Sequence, residues 1–453
     1  MNDIVIIGAG ISGLAAAWEL EKRGVQPLIL EQTRRAGGVI LTERAEGFVV
    51  DGGPDSLLVQ KPAGVELCRE LGLGERLFPT LMPRTAFVLK RGRLVALPDA
   101  SFLGLPTRIG PFVRSELFSP GGKLRMATEF LRFRGLDADE SIGHFIGRRF
   151  GGEAVDYLAE PLLAGIHAGD VNQLSIRSLF PRLVDLERTH GSVLRGLSSA
   201  PPHAPSAQGA FVSLPTGIAE LPEALANALG PDVFQYNTCV RQISGRGPYK
   251  LTLDTDEAIY ARVVIVAIPA WSAAQMLASL DTTLGLRCAD IPYASTATVA
   301  FGLRQDQVRH PLRGTGFVVP RRERKLLMAG TWVSSKWPKR APEGQVLLRA
   351  FIGGATDPTA LHRNDLDLAR MAFQELAALL GISGDPSLVR LFRWVRATPQ
   401  YTVGHADRVR AIEERLARFP GVFVTGSGYR GTGIPDCIAD ARATAAKAAA
   451  AVY

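Results

Sequence analysis

The sequence contains few residues of the kinds that bind metals or form disulfides. Only four of its 453 residues are cysteines and seven are histidines, and none of them falls into a CxxC or HExxH pattern. Structural and catalytic metal sites are built from such clusters, so we expect no metal site. Isolated cysteines are typical of reduced thiols, which favours a cytoplasmic protein.

Long apolar runs and nucleic-acid-binding motifs are also lacking. A membrane-spanning helix needs about 20 consecutive apolar residues, and no run in the sequence approaches that length. The net charge is +8, yet no basic motif interleaved with aromatic residues accompanies it, so we expect no nucleic-acid partner. A solvated basic surface is the simplest interpretation of most of these charges.

Glycine is plentiful, and its first cluster follows the first apolar strand. After Asp3–Ile7 the sequence runs through Gly8, Ala9, Gly10, Ile11, Ser12 and Gly13 into a helical segment, and a second strand then ends at Glu31. This is the context that the GxGxxG dinucleotide fingerprint requires. Gly8 permits the tight turn, Gly10 lets the backbone approach a pyrophosphate, and Gly13 lets the helix pack on the strand. Glu31 is expected to accept hydrogen bonds from ribose hydroxyl groups and to repel a 2′-phosphate, which disfavours NADP as the ligand.

Two further glycine-rich stretches favour FAD over NAD. Arg34-Arg35-Ala36-Gly37-Gly38 follows the second strand, and Gly52-Gly53-Pro54-Asp55-Ser56 comes soon after. NAD does not need a second cluster at this place, whereas a larger cofactor does. Near the C-terminus, a strand ending at Gly426 leads through Thr432-Gly433-Ile434 into an Ala-rich helix, whose N-terminal amides are predicted to face an acceptor. Both ends of the chain are therefore predicted to build one site.

This combination resembles the amine oxidase-like flavoproteins, in which an E-x-x-x-R-x-G-G stretch and a D/E-x-G-P turn line the FAD. The resemblance implies one non-covalent FAD, with the C-terminal helix facing the flavin pyrimidine ring, where negative charge develops on reduction. It also implies that Arg35 lies near the pyrophosphate, Val240 near the adenine and Trp394 beside the flavin. Together with the fingerprint, the predicted FAD-binding residues are Gly8, Ala9, Gly10, Ile11, Ser12, Gly13, Glu31, Gln32, Arg35, Gly38, Gly53, Pro54, Asp55, Ser56, Val240, Trp394, Gly426, Thr432, Gly433 and Ile434.

Three separated motifs narrow the resemblance. They are Leu163-Ala164-Gly165-Ile166-His167-Ala168-Gly169-Asp170, then Arg393-Trp394 with Pro399-Gln400-Tyr401-Thr402-Val403-Gly404-His405, and finally Gly431-Thr432-Gly433-Ile434-Pro435-Asp436-Cys437-Ile438. In this order they resemble the protoporphyrinogen/coproporphyrinogen oxidase family, and the chain is identified as a member of it. The resemblance implies six-electron oxidation of protoporphyrinogen IX to protoporphyrin IX with oxygen as acceptor, or alternatively oxidation of coproporphyrinogen III.

Two other activities are disfavoured by particular residues. An amine oxidase on the same scaffold often has Gly-Glu after the last strand, where this chain has Gly426-Ser427. The intact flavin motifs also argue against a non-catalytic flavin-binding partner in a haem assembly.

The resemblance also implies a substrate site above the flavin. Arg84 is expected to bind a propionate, because arginine holds carboxylates bidentately. Gly165 is expected to let the tetrapyrrole or flavin approach the backbone, and Gly316, Phe317 and Val318 to form an apolar wall, with a core position as the alternative for Phe317. We assign no catalytic base, because aromatisation of the substrate drives hydride loss. His167 is interpreted as a lining residue.

The wider pattern predicts an α/β fold: a Rossmann-like FAD-binding domain, a mixed α+β substrate domain and a mainly helical, membrane-associated insert. The predicted FAD-binding domain comprises residues 1–80, 211–285 and 391–453, the substrate domain 81–99 and 286–390, and the helical domain 100–210. Local expectations are a hairpin turning at Arg91-Gly92, a buried strand over Val263–Pro269, a helix near Asp365–Leu380, and a mobile loop from Ser198 to Gly209.

The segment Pro106–Arg134 combines apolar side chains with six basic residues, opposed only by Glu116 and Glu129. Such a basic amphipathic surface favours contact with anionic lipid, so the protein is expected to be cytoplasmic and peripheral on the membrane. Core packing under a solvated basic face is the alternative. A homodimer and handover of porphyrin to a ferrochelatase are further partner expectations.

Overall fold

The computed structural model describes residues 1–98, 101–102, 105–106, 113–132, 135, 138–199 and 209–452. Its strands are β1 (Asn2–Ile7), β2 (Leu28–Leu30), β3 (Thr42–Ala45), β4 (Phe48–Asp51), β5 (Leu57–Leu58), β6 (Phe78–Pro79), β7 (Ala86–Lys90), β8 (Arg93–Ala96), β9 (Ser101–Phe102), β10 (Leu105–Pro106), β11 (Phe211–Ser213), β12 (Phe234–Gln235), β13 (Val240–Ser244), β14 (Tyr249–Leu253), β15 (Ala258–Val266), β16 (Tyr293–Arg304), β17 (Gly316–Val318), β18 (Leu327–Trp332), β19 (Gln345–Gly353), β20 (Leu388–Pro399) and β21 (Val422–Val424).

The helices are α1 (Ile11–Lys22), α2 (Ala63–Glu70), α3 (Pro120–Ala127), α4 (Ile142–Phe150), α5 (Gly152–Ala154), α6 (Glu160–His167), α7 (Ile176–Leu179), α8 (Pro181–His190), α9 (Val193–Ser199), α10 (Glu220–Leu229), α11 (Ala270–Ala278), α12 (Thr282–Ala289), α13 (Val333–Lys336), α14 (Asp365–Leu380), α15 (His405–Leu416) and α16 (Ile434–Ala450). A π-helical turn, Val155–Ala159, joins α5 to α6.

The first sheet has the order β12-β2-β1-β15-β14-β13, with β21 paired to β15. The strands β2, β1, β15 and β21 run parallel, so Ile7 pairs with both Leu30 and Val266, and Val266 pairs with Val424. Their carboxyl ends therefore meet at one edge, as in doubly wound sheets that bind ligands there. Strands from both ends of the chain share this sheet.

The apolar runs of the first sheet are buried on both faces, which explains why they do not alternate with polar residues. Ile4 and Ile6 pack with α1 and α16 on one face, whereas Val5 and Ile7 pack with α11 and α12 on the other. The predicted buried strand over Val263–Pro269 is confirmed for Val263–Val266, the end of β15, whereas Ala267–Pro269 lie beyond the strand and are not buried.

The second sheet has the order β20-β16-β19-β18-β17-β7-β8 and is antiparallel except between β17 and β7. The predicted hairpin is confirmed: Lys90 pairs with Arg93, and both Arg91 and Gly92 have positive φ, as a two-residue hairpin turn requires. The predicted helix is confirmed as α14, which covers one face of this sheet with Leu368, Ala372, Leu376 and Leu380.

One predicted domain boundary is wrong. Residues 391–399 were assigned to the FAD-binding domain, but they lie in β20, which pairs with β16 along the ladder from Gly302–Leu388 to Tyr293–Pro399. An antiparallel ladder of this length, in which the register shifts between Ala294 and Thr296, ties the whole strand to the second sheet. The chain returns to the first sheet only at β21.

The described residues between 113 and 199 are mainly helical and bury a core of their own, which includes Leu117, Phe118 and Met126. Within the described part of the chain, no helix is both long and apolar enough to cross a bilayer. Several residues of the predicted lipid-binding segment, among them Arg108, Ile109, Phe112, Phe133 and Arg134, lie outside the described residues, as do residues 200–208 of the predicted mobile loop.

Candidate active site

The three glycines of the turn after β1 have different roles: two of them allow close packing, and one borders open space. Gly8 has φ +102°, and a Cβ there would lie 2.7 Å from the Ile268 side chain. A Cβ at Gly13 would lie 1.9 Å from the Gly8 carbonyl oxygen, so this glycine is needed for contact between helix and strand. A Cβ at Gly10 would meet no protein atom within 4 Å. Gly10 therefore borders open space at the N-terminus of α1, where a pyrophosphate fits.

Glu31 lies at the carboxyl edge of the first sheet and is only 8% exposed. Its Oε2 accepts a hydrogen bond from the Ala9 amide at 2.8 Å, and its Oε1 accepts from the amide and hydroxyl of Thr33 at 2.9 and 2.8 Å. A carboxylate offers about four acceptor positions, so one remains for a ribose hydroxyl. The neighbouring Gln32 is exposed, and the Thr238 amide donates to the Glu31 carbonyl, which brings buried Val240 to the same edge.

Arg35 holds the second glycine cluster onto the first. Its guanidinium donates to the carbonyl oxygens of Ala36, Gly38 and Ile40 at 3.1, 2.6 and 3.2 Å. The Gly37 amide in turn donates to the Ala9 carbonyl at 2.8 Å. Arg35 therefore shapes the loop beside Gly10 through backbone contacts, and only its charge is directed at the predicted pyrophosphate.

The Gly52-Gly53 turn is fixed by groups from the second sheet. The indole Nε1 of Trp394 donates to the Gly52 carbonyl at 2.8 Å, and Nη1 of Arg349 donates to the Gly53 carbonyl at 3.1 Å. A Cβ at Gly53 would lie 2.1 Å from the Val39 carbonyl oxygen. The structure thus brings Trp394 and Gly53 together, as the sequence analysis expected.

Asp55 is committed to ion pairs rather than turned to a ligand. It accepts from Lys336 Nζ at 2.9 Å and from the Ser56 hydroxyl at 2.8 Å, and Arg349 lies 3.3 Å away. Burial opposes its ionisation, but the charges of Lys336 and Arg349 hold the pKa of Asp55 well below its usual range. The backbone of Gly53 and Pro54, not the side chains of Asp55 and Ser56, is left to contact a cofactor.

The C-terminal loop meets the fingerprint helix. A Cβ at Gly426, which has φ +122°, would lie 3.8 Å from the Ser12 hydroxyl oxygen. Beyond Thr432, Gly433 caps α16, and its amide donates to Asp436 at 3.2 Å. The first-turn amides of a helix have no partner within it, so the start of α16 at Ile434 offers a partial positive charge to an anionic group.

Lys61 and His167 lie beside this loop, at Asp436. No sequence motif indicated a role for Lys61. Lys61 Nζ donates to Asp436 at 2.6 Å, and the imidazole of His167 interacts electrostatically with both. Burial, with a smaller effect of the Lys61 charge, lowers the pKa of His167 to about 4. The imidazole is therefore neutral at pH 7. Lys61 and Asp436 are 375 positions apart in the sequence, so no local pattern links them.

The predicted substrate residues are brought together only in part. A Cβ at Gly165 would lie 3.2 Å from the Val318 side chain, so α6 packs on β17 at this point. Gly316 has φ +143°, and a Cβ there would lie 2.2 Å from the Gly330 carbonyl. These two glycines are accounted for by protein packing. Arg84 Nε donates to the Thr80 carbonyl at 3.1 Å.

The predicted wall role of Phe317 needs correction. Phe317 is 3% exposed and lies in the core between the second sheet and α14. Its ring occupies the space above Gly330, where a Cβ would meet it at 2.4 Å. Side chains alternate along a strand, so Gly316 and Val318 face the helical region while Phe317 faces away. Of the three predicted wall residues, Val318 alone presents a side chain on that face.

A cavity of about 260 Å³ with a mixed polar and apolar lining lies beside the segment that follows His167. Its lining includes Asp170, Gln173, Tyr293, Ser295, Gln400 and Thr402. The Gln400 amide donates to the His167 carbonyl at 2.9 Å and so separates this cavity from the imidazole.

The chain is similar to known proteins over its whole length. The family model of flavin-containing amine oxidoreductases matches residues 11–449. The coproporphyrinogen III oxidase of Bacillus subtilis (strain 168) is 37% identical over 98% of this chain and 97% of the relative, and the chloroplastic protoporphyrinogen oxidase of Nicotiana tabacum is 28% identical over 96% and 83%. A crystal structure described as a protoporphyrinogen oxidase from Exiguobacterium sp. 255-15 has a TM-score of 0.89 at 34% identity and covers 99% of each chain. The chain therefore belongs to the flavin-containing amine oxidoreductases, and it is an FAD-dependent oxidoreductase with their α/β fold.

Proposed function

We propose that this protein is a porphyrinogen oxidase that removes six electrons from its substrate in three two-electron steps. The observation that carries the proposal is the similarity of nearly the whole chain to a coproporphyrinogen III oxidase, combined with a dinucleotide cradle that leaves Gly10 open. Bound FAD supplies the hydride acceptor. The chain supplies the cradle, the helix N-terminus and the substrate slot.

The side chains left exposed at the site suit an apolar macrocycle. Ile166, beside Gly165 on α6, is 61% exposed, and Val39, whose carbonyl abuts Gly53, is 44% exposed. Contiguous exposed apolar surface marks ligand-binding grooves, and a macrocycle bound beside Gly165 and Gly53 would cover both side chains. A neutral His167 is consistent with the role predicted for it from the sequence, that of a residue lining this slot.

Coproporphyrinogen III is the first candidate substrate, and protoporphyrinogen IX, which the sequence analysis favoured, is the second. The relative with the higher identity acts, by its name, on coproporphyrinogen III. The two substrates differ in carrying four and two propionates. Arg84 is the predicted propionate partner, and Lys61, which is paired with Asp436, is a second cation at the C-terminal loop.

Anaerobic mixing of the FAD-loaded protein with each porphyrinogen tests this proposal. With at least three equivalents of protein per porphyrinogen, so that three flavins accept the six electrons, we expect the flavin absorbance to bleach and porphyrin fluorescence to appear, faster with coproporphyrinogen III than with protoporphyrinogen IX. A primary amine such as putrescine serves as the control for amine oxidase activity and should leave the flavin oxidised. Failure of both porphyrinogens to bleach the flavin contradicts the proposal, and a reversed order contradicts only the substrate preference.

Oxygen is the proposed acceptor, which makes the balance three oxygen molecules consumed and three hydrogen peroxide molecules formed per porphyrin. Peripheral contact with an anionic membrane, handover of porphyrin to a ferrochelatase and a homodimer are proposed as the associations of the protein. The membrane contact is supported by the exposed apolar side chains of the helical region, among them Leu124 and Leu131.

A further inference from the structure

The loop between β21 and α16, residues 426–433, is held from outside by two aromatic side chains. Tyr401 follows β20 and His405 is the first residue of α15. Both are nearly fully buried, with exposures of 4% and 2%. Their rings stack in parallel with centroids 3.7 Å apart and an interplanar angle of 13°. Neither residue was predicted to bind FAD or substrate.

The Tyr401 hydroxyl closes the loop on itself. It donates to the Ser427 carbonyl at 2.8 Å and accepts from the Gly431 amide at 2.6 Å. Two backbone groups four residues apart are thus tied to a single oxygen atom. Burial raises the pKa of Tyr401, so the phenol keeps the proton that it donates at any working pH.

His405 adds a third attachment between these two. Its Nε2 lies 3.0 Å from the Tyr429 carbonyl, which accepts the hydrogen bond. Burial lowers the pKa of His405 to about 4, so the imidazole is neutral and its single proton is on Nε2 when this bond forms. Ser427, Tyr429 and Gly431 are therefore held at alternate positions just before α16 begins.

We propose that Tyr401 is a positioning residue that sets loop 426–433 and thereby aims the first amides of α16 at the flavin. The inference rests on the proposed placement of FAD at this helix N-terminus. Fixed amide dipoles stabilise negative charge that develops at a helix start. A set loop therefore favours the reduced, anionic form of FAD over the oxidised form, whereas a relaxed loop loses this preference.

The test is the midpoint potential of the FAD-loaded Tyr401→Phe variant, measured by equilibration with a reference dye in the absence of porphyrinogen. Removing the hydroxyl leaves the Gly431 amide and the Ser427 carbonyl without their shared partner while the ring and its stacking remain. We expect the preference for reduced over oxidised FAD to fall about tenfold, which lowers the potential of a two-electron couple by about 30 mV.

Tyr249→Phe is the matched control. Tyr249 is fully buried, and its hydroxyl donates to the Pro420 carbonyl at 2.7 Å, just before β21 and at the opposite end of that strand from the loop. Each substitution removes one buried phenol oxygen and its hydrogen bonding to the backbone, so a loss of stability is expected in both variants, with an unchanged potential in Tyr249→Phe.

An unchanged potential in Tyr401→Phe, or an equal shift in both variants, overturns the proposal. If Tyr401→Phe does not fold, Tyr401→Met takes its place, since methionine adapts to buried space and also lacks the hydroxyl that contacts Ser427 and Gly431. A downward shift in that variant supports the proposal and no shift overturns it. Because no porphyrinogen is present, a wild-type protein that fails to oxidise porphyrinogens would contradict the proposed function while leaving this result intact.

Discussion

His167, which is half-buried, and His405, which is buried, make the stability of this protein sensitive to acid. Burial lowers the pKa of both His167 and His405 from 6.5 to about 4. Between these values the unfolded chain binds more protons than the folded one, so stability is lost as the pH falls. We expect the free energy of unfolding to drop by up to about 1.4 kcal/mol per pH unit for each histidine. Urea unfolding between pH 7.5 and 5 measures this slope.

Carboxylates also titrate as the pH falls, so the contribution of one histidine is read from a difference. The slope of His167→Phe should be shallower than that of the wild-type protein, because phenylalanine cannot take up a proton in the unfolded state. Equal slopes in the two proteins would mean that His167 does not hold a lowered pKa.

Phe317 shows where residue-level prediction from the sequence stops. The strand that carries it, Gly316–Val318, is three residues long, which is too short for an alternating pattern to tell one face from the other. Its partner Gly330 decides the face, because only the missing side chain there leaves room for the ring. That partner lies 13 positions along the chain and carries no motif.

At the scale of elements, the strand–turn–helix formed by β1 and α1 predicts opposite outcomes for two glycine substitutions. Gly10 has φ −68° and ψ 176°, which alanine also adopts, and its Cβ direction is open. Gly10→Ala should therefore fold with a stability within about 1 kcal/mol of the wild-type protein, yet bind FAD at least tenfold more weakly because a methyl group occupies the pyrophosphate position.

Gly13→Ala is the comparison for this experiment. Its Cβ would lie 1.9 Å from the Gly8 carbonyl, so the helix must move off the strand, and we expect loss of folding as well as of FAD. Fluorescence titration with FAD and urea unfolding separate the two effects. Full FAD affinity in Gly10→Ala would show that the pyrophosphate lies elsewhere.

At the scale of the whole molecule, the helical region exposes several apolar side chains, and their sequence neighbours include basic residues. Val113, Leu124 and Leu131 are 58%, 68% and 66% exposed, and Lys123 and Arg132 lie among them in the sequence. We propose that this surface rests on anionic lipid, where buried apolar side chains and basic groups both contribute to binding.

Liposome flotation at low salt tests this surface. We expect the wild-type protein to float with vesicles that contain anionic lipid, and the double variant Leu124→Glu, Leu131→Glu to remain in the bottom fraction. Leu366→Glu is the control, because Leu366 on α14 is 84% exposed and distant in the fold. A wild-type protein that stays in the bottom fraction in the presence of anionic vesicles contradicts the proposal.

The sequence by itself determined the cofactor class and the family, because those signals are local. A tight turn, a close backbone approach and a helix start each demand glycine at a particular spacing, and such demands can be read from a few neighbouring residues. The same holds for the hairpin at Arg91-Gly92 and for the helix Asp365–Leu380.

Only the tertiary structure decided which side chains fix those turns. Arg349 reaches the Asp51 carbonyl across 298 positions, and Lys61 reaches Asp436 across 375. Tyr401 ties Ser427 to Gly431 from another element altogether. Contacts between distant segments impose no spacing on either segment, so no sequence pattern predicts them. The groups that hold loop 426–433 can therefore be identified only in the folded chain.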